Sequence, residues 1–497
     1  MSTEAQEGRS ASEHMSSIGR KAGRGLRWAL FGSVVGKLGS FVMSLVLARL
    51  LAPSDFGLYA VALAATQFAM HVNDMGIIAA VVQWRGRIED MAATAATMAL
   101  LFSIGWYALF WFAAPAFADL AGSPEATPIV RLLTATILVD GVTAVRVGIL
   151  QRTFRQDRLS LAIMAGFFVN AVVAITLASR GAGAYSFAIG QLVQSLVTAV
   201  IVMLSVRMPL RYGLNRDVAR QLLRFGVPLA IGLGAESLLL YSDSVVVGHV
   251  LGPALLGFYL LAFNISSWIP GLVGTAVRYV SMPGFSRLAE HDHDTLALGA
   301  RQVFAVMFTC VVPMAVGLMT LAPALVTLLY GEQWLPSSSP LRFLAVVMVV
   351  RLLTGLALDV QTSLGKTRTT VWVNTIWVAA LLPALYLGAH LDGITGAAVG
   401  HAIIALSVAV PVVVGALHRS GVALRPIVPS LLRALLGGAV AAVVMLVLAR
   451  AVGESAVLEV LVAGTAGVLA YIVLVVPGPL RRKAIARLRR TPGTTTA

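Results

Sequence analysis

The sequence predicts an all-α integral membrane protein with about 14 transmembrane helices, arranged as two pseudo-symmetric six-helix lobes followed by two C-terminal helices. Three observations support this fold class. The 497-residue chain is 58% hydrophobic and only 12% charged, whereas soluble domains carry about 25% charged residues. Its apolar residues fall into about fourteen runs, each long enough to cross a bilayer. A short sequence pattern also recurs in mid-chain at a fixed spacing.

The fourteen apolar runs are separated by short segments that contain charged residues, proline and glycine. A membrane helix needs about 20 mostly apolar residues, and the runs have about that length. They cover residues 28–51, 56–81, 91–117, 128–150, 159–179, 183–206, 225–251, 255–278, 302–325, 341–363, 370–389, 394–417, 431–450 and 456–477. The first run follows a polar tail and has a counterpart in mid-chain, so we interpret it as a permanent helix and not as a cleaved signal peptide.

Basic residues alternate along the chain in a way that predicts its orientation. Most of the 37 Lys and Arg residues lie in the two tails and in every second loop, such as those around Arg155, Arg216 and Arg368. The positive-inside rule places such segments in the cytoplasm. The alternation therefore requires an even number of spans with both termini cytoplasmic. It also explains the formal net charge of +15 as topological, so we expect no nucleic-acid partner.

The residues that could support cofactor or metal chemistry are few. The single cysteine, Cys310, excludes an intrachain disulfide and a cysteine-based metal site, and we expect it to be a small buried hydrophobe. Gly365, Lys366 and Thr367 resemble the end of a phosphate-binding loop, but Val360 stands where that motif needs its first glycine. We therefore expect no catalytic residue, no metal, no cofactor and no ATP hydrolysis. Coupling to a proton or sodium gradient remains open.

An internal repeat relates the turn after the first apolar run to the turn after the seventh. At an offset of 200 residues, Pro53, Gly57 and Tyr59 correspond to Pro253, Gly257 and Tyr259. Six helices separate the copies, so both copies have the same orientation in the membrane. Parallel repeats of this kind are typical of transporters that hold substrate between two lobes. The predicted regions are an N-terminal tail (1–27), an N-lobe (28–206), a basic linker (207–224), a C-lobe (225–417), two further helices (418–478) and a basic C-terminal tail (479–497).

Several stretches carry a family resemblance. They are LARLLAPSDFGLYAVAL at 47–63, NDMGIIAAVVQ at 73–83, YSDSVVVGHVLGPALLGFY at 241–259, SMPGFSRL at 281–288 and YGEQW at 330–334. On these stretches the chain resembles bacterial polysaccharide exporters and O-antigen flippases of the multidrug/oligosaccharidyl-lipid/polysaccharide exporter superfamily, in particular the colanic-acid exporter-like branch. The resemblance implies two lobes around a cavity in the bacterial inner membrane. It also implies a polyprenyl-diphosphate-linked oligosaccharide as substrate, moved from the cytoplasmic to the outer leaflet, and other polysaccharide assembly proteins as further partners.

Charged residues within the apolar runs are the candidates for the substrate pathway, because a charge in the membrane is costly and often lines a cavity or an ion path. These residues are Lys37, Asp74, Asp140, Arg146, Glu236, Asp243, Arg351 and Asp359. Lys37 and Glu236 lie at similar depth on equivalent helices, which favours a shared cavity. The alternative is that each is satisfied by a neighbouring helix.

Two groups of these residues allow sharper hypotheses. Asp74 lies one helical turn after His71 and could form a proton-linked pair with it, or the NDMG segment could simply cap or bend the helix. Arg146 and Arg351 could grip a diphosphate, because guanidinium binds phosphate oxygens with two hydrogen bonds. The alternative is an intramembrane salt bridge of Arg146 with Asp140, or of Arg351 with Asp359. The single histidines His249 and His401 are expected to be structural.

The same sequence features allow other transporters, a membrane enzyme or a scaffold as alternatives. Another member of the same superfamily, such as a flippase for a cell-wall lipid precursor or a cation-coupled drug antiporter, has the same overall pattern. The extra helix pair at 431–477 argues against a drug antiporter, which usually has twelve helices. A membrane polysaccharide polymerase or ligase would need a sizeable outward loop, and the outward loops here are short. A scaffold without transport activity would not need charges within the membrane.

Overall fold

The computed structural model describes residues 32, 35–73, 76–84, 86–208, 211–271, 293–366, 368–452 and 455–476. All regular elements in these ranges are helical, and each of the fourteen predicted runs contains a helix. Ten helical segments in this part of the chain are long and apolar enough to cross a membrane. Some of them combine predicted runs, since Arg368–Arg419 includes two. The all-α membrane class is confirmed.

The chain divides into two compact units, Met1–Gly257 and Phe258–Ala497. The boundary falls inside the second copy of the repeat, so the predicted division into lobes at 28–206 and 225–417 stays a prediction. The helices of the first unit, the last of which runs on into the second unit, are α1 (35–50), α2 (Pro53–Asn73), α3 (Ile77–Gln83), α4 (Ile88–Leu120), α5 (Thr127–Thr134), α6 (Thr136–Arg152), α7 (Gln156–Ser179), α8 (Tyr185–Ser205) and α9 (Arg216–Ser266).

Glycines in the left-handed region interrupt two of these helical stretches. Gly76 has φ 64° and lies between α2 and α3, inside the predicted run 56–81. Gly252 has φ 79° and breaks α9 immediately before Pro253. Only glycine adopts such a φ without steric cost, and proline cannot donate the hydrogen bond that would continue the helix. The NDMG segment therefore ends at a break before α3, and its role as a cap or a bend stays a prediction because Asp74 and Met75 lie outside the described residues.

The core of the first unit forms where α3, α4 and α6 meet the start of α9. Its buried side chains include Val81, Met91, Val145 and Leu222. Small residues bring these helices close together, since a Cβ at Gly141 would lie 1.9 Å from the Ser103 hydroxyl oxygen. The opposite faces carry exposed apolar side chains such as Phe112 and Phe168. This distribution suits helices that face lipid on one side and protein on the other.

The second unit contains the remaining helices. They are α10 (His293–Thr320), α11 (Ala322–Tyr330), α12 (Ser338–Ser363), α13 (Arg368–Ile404), α14 (Val410–Arg419), α15 (Val428–Val452), α16 (Ala456–Leu458) and α17 (Gly464–Val475). Two π-helical stretches, Ala405–Ala409 and Glu459–Ala463, join α13 to α14 and α16 to α17. The α13 backbone breaks at Asp392 and Gly393, between the predicted runs 370–389 and 394–417.

The two C-terminal helices pack on α10. Val312 of α10 is buried against Ala434, Tyr471 and Val475, and the Tyr471 hydroxyl donates to the Thr309 carbonyl oxygen at 2.8 Å. The expected burial of Cys310 is wrong, because its thiol is exposed on the surface of α10. In an apolar span that surface contacts lipid, which accommodates a small apolar side chain as well as a protein core does.

Candidate functional site

The two turns of the repeat contact each other directly. We call residues 51–59 the first turn and residues 251–257 the second turn. A Cβ at Gly57 would lie 1.8 Å from the Pro253 carbonyl oxygen, and a Cβ at Gly257 would lie 1.8 Å from the Pro53 carbonyl oxygen. Such distances are far below van der Waals contact, so only glycine fits at either position. The contact is reciprocal, as between equivalent surfaces related by a two-fold axis.

Asp55 and two aromatic rings hold the first turn against α8. The Asp55 carboxylate accepts hydrogen bonds from the backbone N–H of Ala52 at 3.0 Å and of Ala184 at 3.1 Å. The Tyr59 ring stacks on Phe187 with centroids 4.4 Å apart. The second turn has Leu255 in place of Asp55 and cannot make the carboxylate contacts. The first turn is therefore a rigid surface on which the second turn rests.

A second backbone contact fastens the end of the first half of α9. A Cβ at Gly248 would lie 2.7 Å from the Ala121 carbonyl oxygen, and a Cβ at Gly122 would lie 2.5 Å from the Gly248 carbonyl oxygen. The His249 Nδ1 donates to the Leu120 carbonyl oxygen at 2.8 Å, which fits the structural role expected for this histidine. The end of α4 and the start of α2 thus close this end of the first unit against α9.

Of the charges predicted for the substrate pathway, five more lie in the first unit besides Arg146, and the side chains of three of them are described. Lys37 lies on α1 with an exposed side chain, Asp140 is half-buried on α6, and Asp243 is buried in α9. Each of the three has an interaction partner in the structure. Asp74 and the side chain of Glu236 lie outside the described residues. The assignment of all of these residues to a substrate pathway stays a prediction.

Arg146 is buried in α6 and binds the segment that follows α8. Its Nη2 donates to the Met208 carbonyl oxygen at 3.2 Å, while its Nε is buried with no hydrogen-bond partner among the described residues. Asp140 lies six residues away, about 240° around the helix. The alternative of a salt bridge between Asp140 and Arg146 is not found in the described part of the chain. A buried guanidinium with an unused N–H has residual capacity for an anion.

The segment that Arg146 holds is also tied to α4, a contact that the sequence did not reveal. The Thr97 hydroxyl accepts from the Gly213 N–H at 3.0 Å, and its proton lies between the carbonyl oxygens of Ala93 at 2.8 Å and Gly213 at 3.1 Å. The Thr94 hydroxyl accepts from the Asn215 N–H at 3.0 Å, and the Asn215 side chain caps the start of α9. The predicted basic linker is therefore an ordered strap in the range 211–215.

The second unit contains Arg351 and Asp359, both on α12. The Arg351 guanidinium lies 5.8 Å above the Phe263 ring centroid, as in a cation–π contact. Asp359 is buried two helical turns further along, and both side chains have interaction partners. His401 is completely buried with its ring edge-on to Trp377, which fits the expected structural role.

His71 and Lys366 both make hydrogen bonds in the structure. The His71 Nδ1 donates to the Gln67 carbonyl oxygen at 2.7 Å, so the ring is already held within its own helix. Its pairing with Asp74 stays untested. Lys366 does not belong to a phosphate loop, because its Nζ donates to the Ser420 hydroxyl at 2.9 Å and Ser420 donates to Gln361. Lys366 therefore joins the ends of α12 and α14.

Comparison with known sequences identifies relatives over most of the chain. A family profile described as "Polysaccharide biosynthesis protein" matches residues 46–339. The succinoglycan biosynthesis transport protein ExoT of Rhizobium meliloti is 28% identical over 380 residues, which are 73% of this chain and 74% of that protein. The lipopolysaccharide biosynthesis protein WzxC of Escherichia coli is 24% identical over 402 residues, 78% of this chain and 79% of that protein.

Solved structures show the same fold at lower identity. The inward closed conformation of the lipid II flippase MurJ matches with a TM-score of 0.78 at 15% identity, covering 93% of this chain and 100% of that one. An inward-facing multidrug resistance transporter of the MATE family, a member of the MOP superfamily, matches with a TM-score of 0.61 at 17% identity, covering 78% of this chain and 94% of that one. The lipid II flippase therefore shares more of the architecture described above.

Proposed function

The chain belongs to the polysaccharide biosynthesis protein family of the multidrug/oligosaccharidyl-lipid/polysaccharide exporter superfamily, and on this premise we propose that it is a flippase for a lipid-linked oligosaccharide. The substrate is a polyprenyl-diphosphate-linked oligosaccharide or polysaccharide repeat unit. The protein moves it from the cytoplasmic to the outer leaflet of the bacterial inner membrane. One observation carries this proposal: relatives named for polysaccharide biosynthesis and a lipid II flippase both match most of the chain.

The fold supports a lipid-linked substrate over a small drug. The MATE transporter covers 78% of this chain, whereas the lipid II flippase covers 93%. The additional α15 and α17 helices pack on α10 through Tyr471 and Val312, so they are an integral part of the second unit. A flippase for a cell-wall lipid precursor is the second candidate, because the lipid II flippase shares the fold. The sequence relatives named for exopolysaccharide and lipopolysaccharide biosynthesis favour the first.

The proposed mechanism is alternating access between two lobes, without ATP hydrolysis by this chain. In this proposal, the contact between the first and second turns belongs to the closed state of the side that the charge pattern predicts to be the exterior. On the cytoplasmic side, the carrier diphosphate is expected to meet Lys37 and Arg146 of the first unit, and Arg351 is the corresponding candidate in the second unit. Arginine and lysine stabilise phosphate charge, and arginine can do so with two parallel hydrogen bonds. Parting of the turns would release the sugar outside, driven by a proton or sodium gradient.

The test is to delete the gene and extract lipid-linked intermediates. We expect a polyprenyl-diphosphate glycan to accumulate in the cytoplasmic leaflet, inaccessible to a glycan-modifying enzyme added outside spheroplasts. Mass spectrometry of the accumulated species identifies the sugar. Accumulation of a peptide-bearing cell-wall precursor would favour the second candidate. Normal levels of all lipid-linked glycans in the deletion strain, with normal surface polysaccharide, would contradict the proposal.

A further inference from the structure

Prolines interrupt the backbone hydrogen bonding of two long membrane helices. Pro115 lies inside α4 and Pro313 lies inside α10. Proline has no N–H, so neither residue can make the helical bond to the carbonyl oxygen four residues earlier. The carbonyls left open in this way belong to Trp111 and Thr309. In the apolar layer of a bilayer no water is present to pair them, so each needs a donor from elsewhere in the protein.

A neighbouring helix supplies the donor in α4. The Arg131 Nε of α5 donates to the Trp111 carbonyl oxygen at 3.0 Å, and the guanidinium carbon lies 4.7 Å from the Trp111 ring centroid. Trp111 precedes the end of α4 at Leu120 by nine residues, about 13 Å along the helix. An arginine within a membrane span is costly, and backbone carbonyls are among its usual partners. Arg131 therefore pairs the carbonyl that Pro115 leaves open.

The same arrangement recurs in α10 with a different donor. The Tyr471 hydroxyl donates to the Thr309 carbonyl oxygen at 2.8 Å, and Tyr471 lies on α17, after the predicted lobes. The α4 and α10 helices contain the third and ninth predicted runs, which the internal repeat makes equivalent. At the offset of 200, Pro115 corresponds to position 315, two residues from Pro313. Equivalent helices thus have similar breaks, each paired by a side chain of another helix.

A side-chain donor holds an open carbonyl less rigidly than a helical bond does. Helices bend at proline because one backbone bond is missing. Arginine and tyrosine can follow such a bend by changing side-chain torsions, so the carbonyl stays paired. In α4 the segment beyond Pro115 ends at Leu120, whose carbonyl oxygen accepts from the His249 ring. His249 lies just before the second turn, so this end of α4 has to follow α9 when the turns separate.

We propose that Pro115 and Pro313 are hinges of α4 and α10, and that Arg131 and Tyr471 are positioning residues that keep the open carbonyl of each hinge paired within the membrane. The pairing is a property of the folded protein, whereas bending during transport rests on the proposed function. The proposal gives α17 a specific role, because it carries the donor that completes the α10 backbone.

Double-mutant cycles test the pairing by thermal unfolding of the purified full-length protein. Tyr471→Phe removes only the hydroxyl and should lower the unfolding midpoint by about 2 °C. In the Pro313→Ala background a backbone N–H can pair the Thr309 carbonyl, so Tyr471→Phe should have no effect there. Tyr386→Phe is the control, since Tyr386 is 49% exposed on α13 and should change neither background. Equal effects of Tyr471→Phe in both backgrounds would overturn the pairing.

The corresponding cycle in the first unit uses Arg131→Met, which keeps an unbranched side chain without donors. This substitution removes a charge in both backgrounds, so the difference between them isolates the bond to the Trp111 carbonyl. Arg131→Met should lower the midpoint more in the protein with Pro115 than in the Pro115→Ala protein. The same shift in both would overturn the role of Arg131.

Spin labels at the exposed positions Leu101 and Asp119, in protein with Cys310→Ser, test the hinge in α4. Under a proton or sodium gradient we expect two distances with Pro115 present and one distance in the Pro115→Ala protein. Pro115→Ala should also reduce surface polysaccharide several-fold at normal abundance, whereas Gly105→Ala, with nothing near its Cβ position, should not. One distance in active protein with Pro115 would overturn the hinge. Normal surface polysaccharide in the deletion strain would instead contradict the proposed function and leave the pairing intact.

Discussion

At the scale of single residues, the contact between the two turns depends on the absence of a side chain. Gly57 and Gly257 each face the carbonyl oxygen of the other turn's proline. The sequence alone paired these positions through the repeat, because an ungapped offset aligns equivalent residues. It could not show that the backbones touch, since the distance between two segments 200 residues apart depends on the packing of all the helices between them.

The glycine contact predicts a steric defect that can be measured. Gly57→Ala places a methyl group 1.8 Å from the Pro253 carbonyl oxygen, and relieving the clash should cost about 1–3 kcal/mol. Gly105→Ala is the matched control, because Gly105 is also helical but nothing lies near its Cβ position. Both variants gain the same helix propensity, so their difference isolates the clash. We expect thermal unfolding of the purified proteins to occur at lower temperature only for Gly57→Ala. Equal unfolding temperatures would contradict the contact.

Replacement by glutamine should reduce export at Lys37 and reduce stability at Lys366. Lys37→Gln should reduce export about tenfold or more at unchanged abundance, as expected for loss of a charge-assisted contact to phosphate. Lys366→Gln removes the hydrogen bond to Ser420 and should cost about 1 kcal/mol of stability while export continues. Surface polysaccharide and protein level, measured in complemented deletion strains, separate the two. Normal export by Lys37→Gln would remove Lys37 from the substrate pathway.

At the scale of helices, apolar runs located the spans well but not their ends. The helix that covers most of the run 302–325 begins at His293 and ends at Thr320, and the one that contains 225–251 begins at Arg216. Apolarity reports where lipid surrounds the chain, whereas a helix continues into water as long as its backbone hydrogen bonds are made. The strap at 211–215 was missed for a related reason. Threonine hydroxyls on α4 hold it, and single threonines in an apolar run carry no recognisable signal.

The strap predicts a change in protease sensitivity. Thr97→Val preserves the side-chain shape but removes the hydrogen bond that the hydroxyl accepts from the Gly213 N–H, which contributes about 1 kcal/mol. It also removes the hydroxyl proton shared between the carbonyl oxygens of Ala93 and Gly213. The exposed Arg211 should then be cut by trypsin several-fold faster in the purified protein. Thr375→Val is the control, because the hydroxyl of Thr375 donates to the Val371 carbonyl oxygen of its own helix and bonds to no other described residue. Identical cleavage rates at Arg211 in all three proteins would show that Thr97 does not hold the strap.

At the scale of the whole molecule, the charge pattern predicts topology. Cysteines introduced at the exposed positions Arg155, Arg216 and Arg368 should be protected from impermeant thiol reagents in intact cells, and those at Glu125 and Glu332 should be labelled. The exposed Cys310 is first replaced by serine to remove background. Permeabilised cells provide the control, since all five positions should then react. Labelling of any of the three arginine positions in intact cells would contradict cytoplasmic termini and an even number of spans.

The distance between the two turns should change during the transport cycle. In this structure the two turns touch, so spin labels at Ser54 and Ala254 should give a short distance with the turns closed. Alternating access requires the turns to separate when the exterior side opens, because backbone contact there would block release of a glycan. Under a substrate or ion gradient, a longer distance should therefore appear as a second population. The control pair is Ser54 with Arg180, because Asp55 ties the first turn to Ala184 at 3.1 Å and this pair should keep one distance. A single short distance for Ser54 and Ala254, in protein shown to be active under the same gradient, would rule out separation of the turns. Release would then have to occur by local movement of one helix.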